Sequence, residues 1–206
     1  FRRVLFRSVI LPLMFWAAYH YHKDRHLPEH ISHLALAFLL GIAAYHLGGL
    51  GYELLGIVGL RFDAYHLAEN HLLGMFVYAV LGIGIIEELA KIVPFLLIAI
   101  RLNSFNEPID GIIYASFIAL GFSAVENISY LRFISEYEAW ARGFIGPLIH
   151  IVFASIWGYY IGKARLEGIG LLFPTLMTLG ATAFFHGIYD FFVIALPDTT
   201  LPLEIG

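Results

Sequence analysis

Residues 72–100 form an apolar run long enough to cross a bilayer, and the pentapeptide EELAK, Glu87 to Lys91, lies in its interior. The flanking stretches GMFVYAVLGIGII and IVPFLLIAI carry no charge at all. A charge at the centre of a spanning helix costs about 2.5–3.5 kcal/mol on insertion scales, so three without compensation would cost roughly 8–10 kcal/mol. Two acids and an amine in this position must therefore face a protein interior or a water-filled cavity, and they must have partners there. Any fold for this chain has to supply them.

The rest of the sequence fits a membrane setting. Mean hydropathy is +0.79 and only 14% of residues are charged, against about 25% in soluble domains. The reading is an all-α, polytopic transmembrane helical bundle of about six spans with short interfacial helices, and residues 1–206 are read as one transmembrane domain. Cysteine is absent, which excludes disulfides and thiolate catalysis. The net charge of −4 is diffuse, so nucleic acid is excluded as a partner; the lipid bilayer is the expected surrounding. The opening FRRVLFRSVILPLMF has a basic start and an apolar core, and it reads as an anchor.

In chain order, spans are expected at 4–19, 31–50, 72–100, from 109 onward, 143–162 and 169–196. A polar loop, YHYHKDRHLPEHISH, separates the first two. Its histidines His20, His22, His26, His30 and His33 match no metal-ligand spacing, and the loop is read as solvated. The Gly-rich segment 48–71 is expected to lie at the interface or to re-enter the membrane. Pro94 should kink span three near Ala90–Lys91. Residues 132–142, RFISEYEAWAR, are expected to form a short amphipathic connector before span five, and Asp110 is read as interfacial.

Each of the last four spans carries polar residues at membrane depth. Glu87 and Lys91 are one helical turn apart and can pair, which would leave Glu88 facing elsewhere; the two glutamates can also exchange these roles. Glu126 and Asn127 lie deep in span four. His150 is the one ionisable residue of span five. His186 and Asp190 share a face of span six. Four independent accidents would each need their own compensation, whereas one shared site compensates all of them. A zinc site needs about three His or carboxylate ligands, a water and a general base. Glu126, His150 and His186 can supply ligands, Asp190 the carboxylate that completes or orients the metal group, and Glu87 or Glu88 the base.

These residues resemble the PrsW family of intramembrane proteases. The resemblance rests on EELAK (E-E-x-x-K), FSAVEN at 122–127 (F-x-x-x-E-N), the isolated His150, and HGIYD at 186–190 (H-x-x-x-D), in that order and over a motif-bearing core at 72–194. The pattern is also similar to the wider superfamily of CAAX prenyl proteases. Lys91 and Glu126 differ from the arginine and histidine of that group and favour the PrsW branch over prenylated substrates. The resemblance implies a membrane protease of a prokaryotic cell membrane that cuts membrane proteins, such as membrane-bound anti-sigma factors. It places Glu87, Glu88, Lys91 and Asn127 in the catalytic set and Glu126, His150, His186 and Asp190 around a divalent metal, zinc.

Two other functions compete with a protease. A proton or cation transporter would spread Glu87, Glu88, Lys91, Glu126 and Asp190 across the membrane depth, whereas a protease gathers them at one level. A scaffold would use polar residues only to join helices, a task usually done by Ser, Thr, Asn or Gln.

Overall fold

The computed structural model describes residues 2–23 and 28–195, and within them the chain is helical with no strand. Helix α1 (Arg2–Leu5) continues through a π-helical stretch at Phe6–Ile10 into α2 (Leu11–Lys23). Then come α3 (Ile31–Ile57), the short α4 (Ala64–Asn70) and α5 (Leu72–Tyr78). A π-helical turn at Ala79–Gly84 leads from α5 into α6 (Ile85–Leu97), followed by a single 3-10 turn, α7 (Pro108–Tyr130), α8 (Glu136–Leu166) and α9 (Leu172–Ala195). Five stretches, Arg3–Lys23, α3, α7, α8 and α9, are long and apolar enough to cross a membrane. The remaining expected span, residues 72–100, is helical from Leu72 to Leu97 but is broken by the π turn into pieces that are each too short. Both the expected end of the last span at 196–198 and His26 fall outside the described residues.

Helix α7 is the axis of the bundle. It is buried along most of its length against α2, α3, α6 and α8. Gly41 meets Gly121, and Gly111 meets Gly158, so closely that a Cβ on any of the four would fall within 2.3 Å of a backbone carbonyl oxygen. Small residues allow this approach, and in lipid such packing replaces the hydrophobic drive that holds soluble helices together. The N-terminus of α7 is closed by a capping box between Glu107 and Asp110. Asp110 is thus buried and occupied with the backbone of Asn106 and Glu107.

Two local expectations are corrected. Residues 48–57 extend α3 and do not re-enter the membrane; only 58–70 form a turn and short helix. The expected connector 132–142 is largely helical, because Ser135 caps Glu138 and starts α8 there, and the helix then runs unbroken through Pro147. The backbone of α6 stays helical through Pro94 to Leu97. The run from Leu72 to Leu97 departs from α geometry at Ala79–Gly84, where Gly82 and Gly84 remove side chains from the turn.

Candidate active site

Glu88 and Lys91 lie one turn apart on α6 and are fully buried. Lys91 Nζ donates to Glu88 Oε1 at 2.6 Å. The pairing is therefore with Glu88 and not Glu87: the roles of the two glutamates are the exchanged ones. Trp157 Nε1 of α8 donates to the other Glu88 oxygen at 2.9 Å. His186 Nδ1 of α9 lies 2.7 Å from Glu88 Oε1. A carboxylate accepts only, so Nδ1 carries the proton and a neutral His186 keeps its lone pair on Nε2. An acid fixing the tautomer of a histidine in this way is the usual support of a metal ligand.

The free face of His186 looks towards two carboxylates. Its Nε2 lies 3.7 Å from Glu87 Oε2 and 3.6 Å from Asp190 Oδ2. Both oxygens are buried and neither has a hydrogen-bond partner among the described residues. Tyr52 of α3 donates to Glu87 Oε1 at 3.3 Å and leaves Oε2 free. The rings of His150 and His186 stand edge to face at 5.0 Å, and Phe153 stacks on His186 from the other side.

His150 joins the second half of the cluster. Its Nδ1 is 3.0 Å from Lys91 Nζ and its Nε2 is 2.7 Å from Glu126 Oε2. The other Glu126 oxygen accepts from Arg142 Nη2 at 2.8 Å, and the guanidinium of Arg142 lies 3.8 Å from the centre of the Tyr130 ring. Asn127 is buried, and its side chain packs against Gly146, one turn before His150 on α8. Both of its amide atoms lack partners among the described residues.

These contacts gather residues from four helices at one level. Glu87, His150 and His186 each offer a ligand atom within 4.8 Å of the others, and all three are buried. A path for ions across the membrane would need the same residues spread in depth, and they are not. Two ligand atoms on one tetrahedral ion lie about 3.3 Å apart when each is near 2.0–2.1 Å from it, and the distances of His186 Nε2 from Glu87 Oε2 and from Asp190 Oδ2 are of that order. The charges agree as well. Glu87, Glu88, Glu126 and Asp190 share the cluster with Lys91 and Arg142, so with neutral histidines two negative charges remain, the amount one divalent cation offsets.

The family model described as PrsW family intramembrane metalloprotease matches residues 29–203. The chain belongs to the PrsW family. Protease PrsW of Clostridioides difficile is 30% identical over 207 residues, covering 92% of this chain and 79% of the relative. The proteins of the same name from Geobacillus kaustophilus and Bacillus subtilis are 28% and 29% identical, covering 93% and 92% of this chain and 80% and 82% of their own lengths. No solved structure matches. The protein is an intramembrane metalloprotease of a prokaryotic cell membrane, acting on membrane proteins within the bilayer.

Sequence reasoning missed three residues of this cluster. Trp157 and Arg142 lie seven and eight positions from His150 and so share its helix face; that periodicity was the available signal. Tyr52 lies in the Gly-rich segment expected at the interface or re-entering the membrane, and nothing local marked it.

Proposed function

We propose that Glu87, His150 and His186 hold the divalent ion of this PrsW-family protease, that the ion is zinc, and that the substrate is a single-span membrane protein of the anti-sigma-factor type. The observation that carries the reading is the orientation of His186, with Nδ1–H given to buried Glu88 and Nε2 turned to two partnerless carboxylate oxygens. When bound, the metal supplies a Lewis acid that makes water nucleophilic near neutral pH and polarises the peptide carbonyl. The chain's own residues do the rest. Glu88 accepts from Lys91, Trp157 and His186, so it is an orienting group and not a base. Asp190 is the base: Oδ2 takes the proton from the attacking water and returns it to the departing amine. Glu126, held by Arg142, accepts from His150 Nε2–H and so fixes the tautomer whose Nδ1 lone pair, which accepts from Lys91 here, would be offered to the ion. The unpartnered amide of Asn127 donates to the developing oxyanion of the substrate.

The test is elemental analysis of purified protein alongside cleavage of single-span anti-sigma factors in proteoliposomes. One metal ion per chain is expected in wild type, with both metal and cleavage lost in Glu87→Gln and in His186→Ala. Cleavage by both variants, or by exhaustively chelated wild type, would overturn the assignment.

A further inference from the structure

An apolar groove of about 880 Å³ opens on the side of the bundle between the end of α3, the short α4 and α5 with its π turn. Leu55, Phe62, Leu67, Leu73, Leu81 and Gly82 are among the residues that line it. We propose that this groove is the docking site for the apolar transmembrane segment of the substrate, which it holds beside the metal-binding residues. The inference deepens the protease reading and rests on it for the direction of delivery.

Three observations support that occupant. The first is continuity. Tyr78 lines the groove and packs in one apolar cluster with Leu55 and Tyr52, and Tyr52 donates directly to Glu87. Two side chains, Tyr78 and Tyr52, therefore stand between a seated segment and the cluster of acids and histidines. The second is the nature of the wall. Gly74 and Gly82 line the groove, and Gly82 belongs to the π turn that runs straight into the α6 glutamates. In lipid, apolar surface alone does not favour a protein partner over acyl chains. Glycine in the wall does, because it lets another helix approach closely where the Tyr78 ring that covers Gly82 turns aside. π turns are also concentrated at functional sites. The third is the outer wall: α4 has no buried residue and is held at its start by Asp63 capping His66. A wall so lightly packed can move aside for a segment larger than the groove at rest.

The experiment uses the full protein in proteoliposomes with a spanning leucine–alanine peptide of about 20 residues flanked by lysines as probe. A benzophenone amino acid replaces Leu73 in the groove or, as a control, Leu176, a likewise exposed residue of α9. Light should attach the peptide at position 73 at least about fivefold more than at 176, and Val77→Trp, which fills the groove, should remove the difference. In cleavage assays Val77→Trp should raise KM severalfold through lost close helix packing, with the loss falling on KM more than on kcat. Equal attachment at both positions, or attachment to lipid alone at 73, overturns the proposal. Attachment reports binding and not hydrolysis, so failure of the metal assignment would leave this result unchanged.

Discussion

Replacing Glu88 by glutamine removes one charge and almost no volume, which makes it a direct probe of the buried network. Oε1 accepts from Lys91 at 2.6 Å and from His186 at 2.7 Å, and Oε2 from Trp157 at 2.9 Å. Glutamine has one acceptor oxygen. If that oxygen stays with Lys91 and His186, the amide NH₂ faces the indole N–H, donor against donor, and a buried unsatisfied donor costs about 1–3 kcal/mol. Lys91, fully buried, loses its counter-charge as well, and breaking a buried ion pair costs about 3–5 kcal/mol in all. His186 also loses the carboxylate that raises its basicity, an effect worth about 10–100-fold in metal affinity. Glu88→Gln should therefore be destabilised by about 3–5 kcal/mol in detergent-titrated unfolding and should bind zinc 10–100-fold more weakly. The double variant Glu88→Gln/Lys91→Met removes both charges and should recover most of the stability while zinc affinity stays low. The reasoning is refuted if the single variant unfolds within about 1 kcal/mol of wild type, below the cost of one unsatisfied donor, and binds zinc equally well.

Two further variants separate site from scaffold. Tyr52→Phe deletes the hydroxyl that donates to Glu87 at 3.3 Å and should weaken zinc binding by roughly 2–10-fold with little change in stability, as measured by competitive chelator titration. Asp110→Ala removes the acceptor of two backbone N–H groups at the start of α7 and should cost about 0.5–2 kcal/mol of stability while activity per folded molecule is unchanged.

The site was legible in the sequence to the extent that charge in lipid is rare. Glu87, Glu88, Lys91, Glu126, His150, His186 and Asp190 stand out because each needs a partner at membrane depth, and the structure brings them together. Helical periodicity also placed His186 and Asp190 on one face. It could not choose between the two glutamates for Lys91, since i+3 and i+4 neighbours are both within reach on a helix. That choice is made by tertiary contacts: Trp157 and His186 converge on Glu88, and Tyr52 on Glu87. The composite third span was legible in length but not in shape. A π turn depends on what the helix packs against, and Ala79–Gly84 packs on α9. The start of α8 was misread for the opposite reason, in spite of a local signal. RFISEYEAWAR is polar enough to resemble a connector, yet the Ser135–Glu138 capping box is a helix-start signal in plain view.

That packing of the π turn on α9 makes a prediction about residues that touch no ligand. A Cβ on Gly84 would lie 2.2 Å from the Ala183 carbonyl oxygen, and one on Gly187 would lie 2.4 Å from the Val80 Cα. Cβ atoms do not approach backbone so closely, so alanine at either position must push α9 away from the segment that leads into Glu87 and Glu88. His186 is the immediate neighbour of Gly187, and its 2.7 Å contact to Glu88 crosses this same interface. A shift of about 1 Å would break that bond and displace Nε2 from Glu87 and Asp190, because hydrogen bonds tolerate only a few tenths of an ångström beyond about 3.2 Å. Displacements of that size at a catalytic group cost about 100-fold in rate. Gly187→Ala should thus bind the metal more weakly and lose about 100-fold in kcat. Gly180→Ala, where nothing lies within 4 Å, is the control for helix α9 and should retain both. Wild-type metal content and cleavage in Gly187→Ala would mean that the close approach of α9 to the π turn does not set the position of His186.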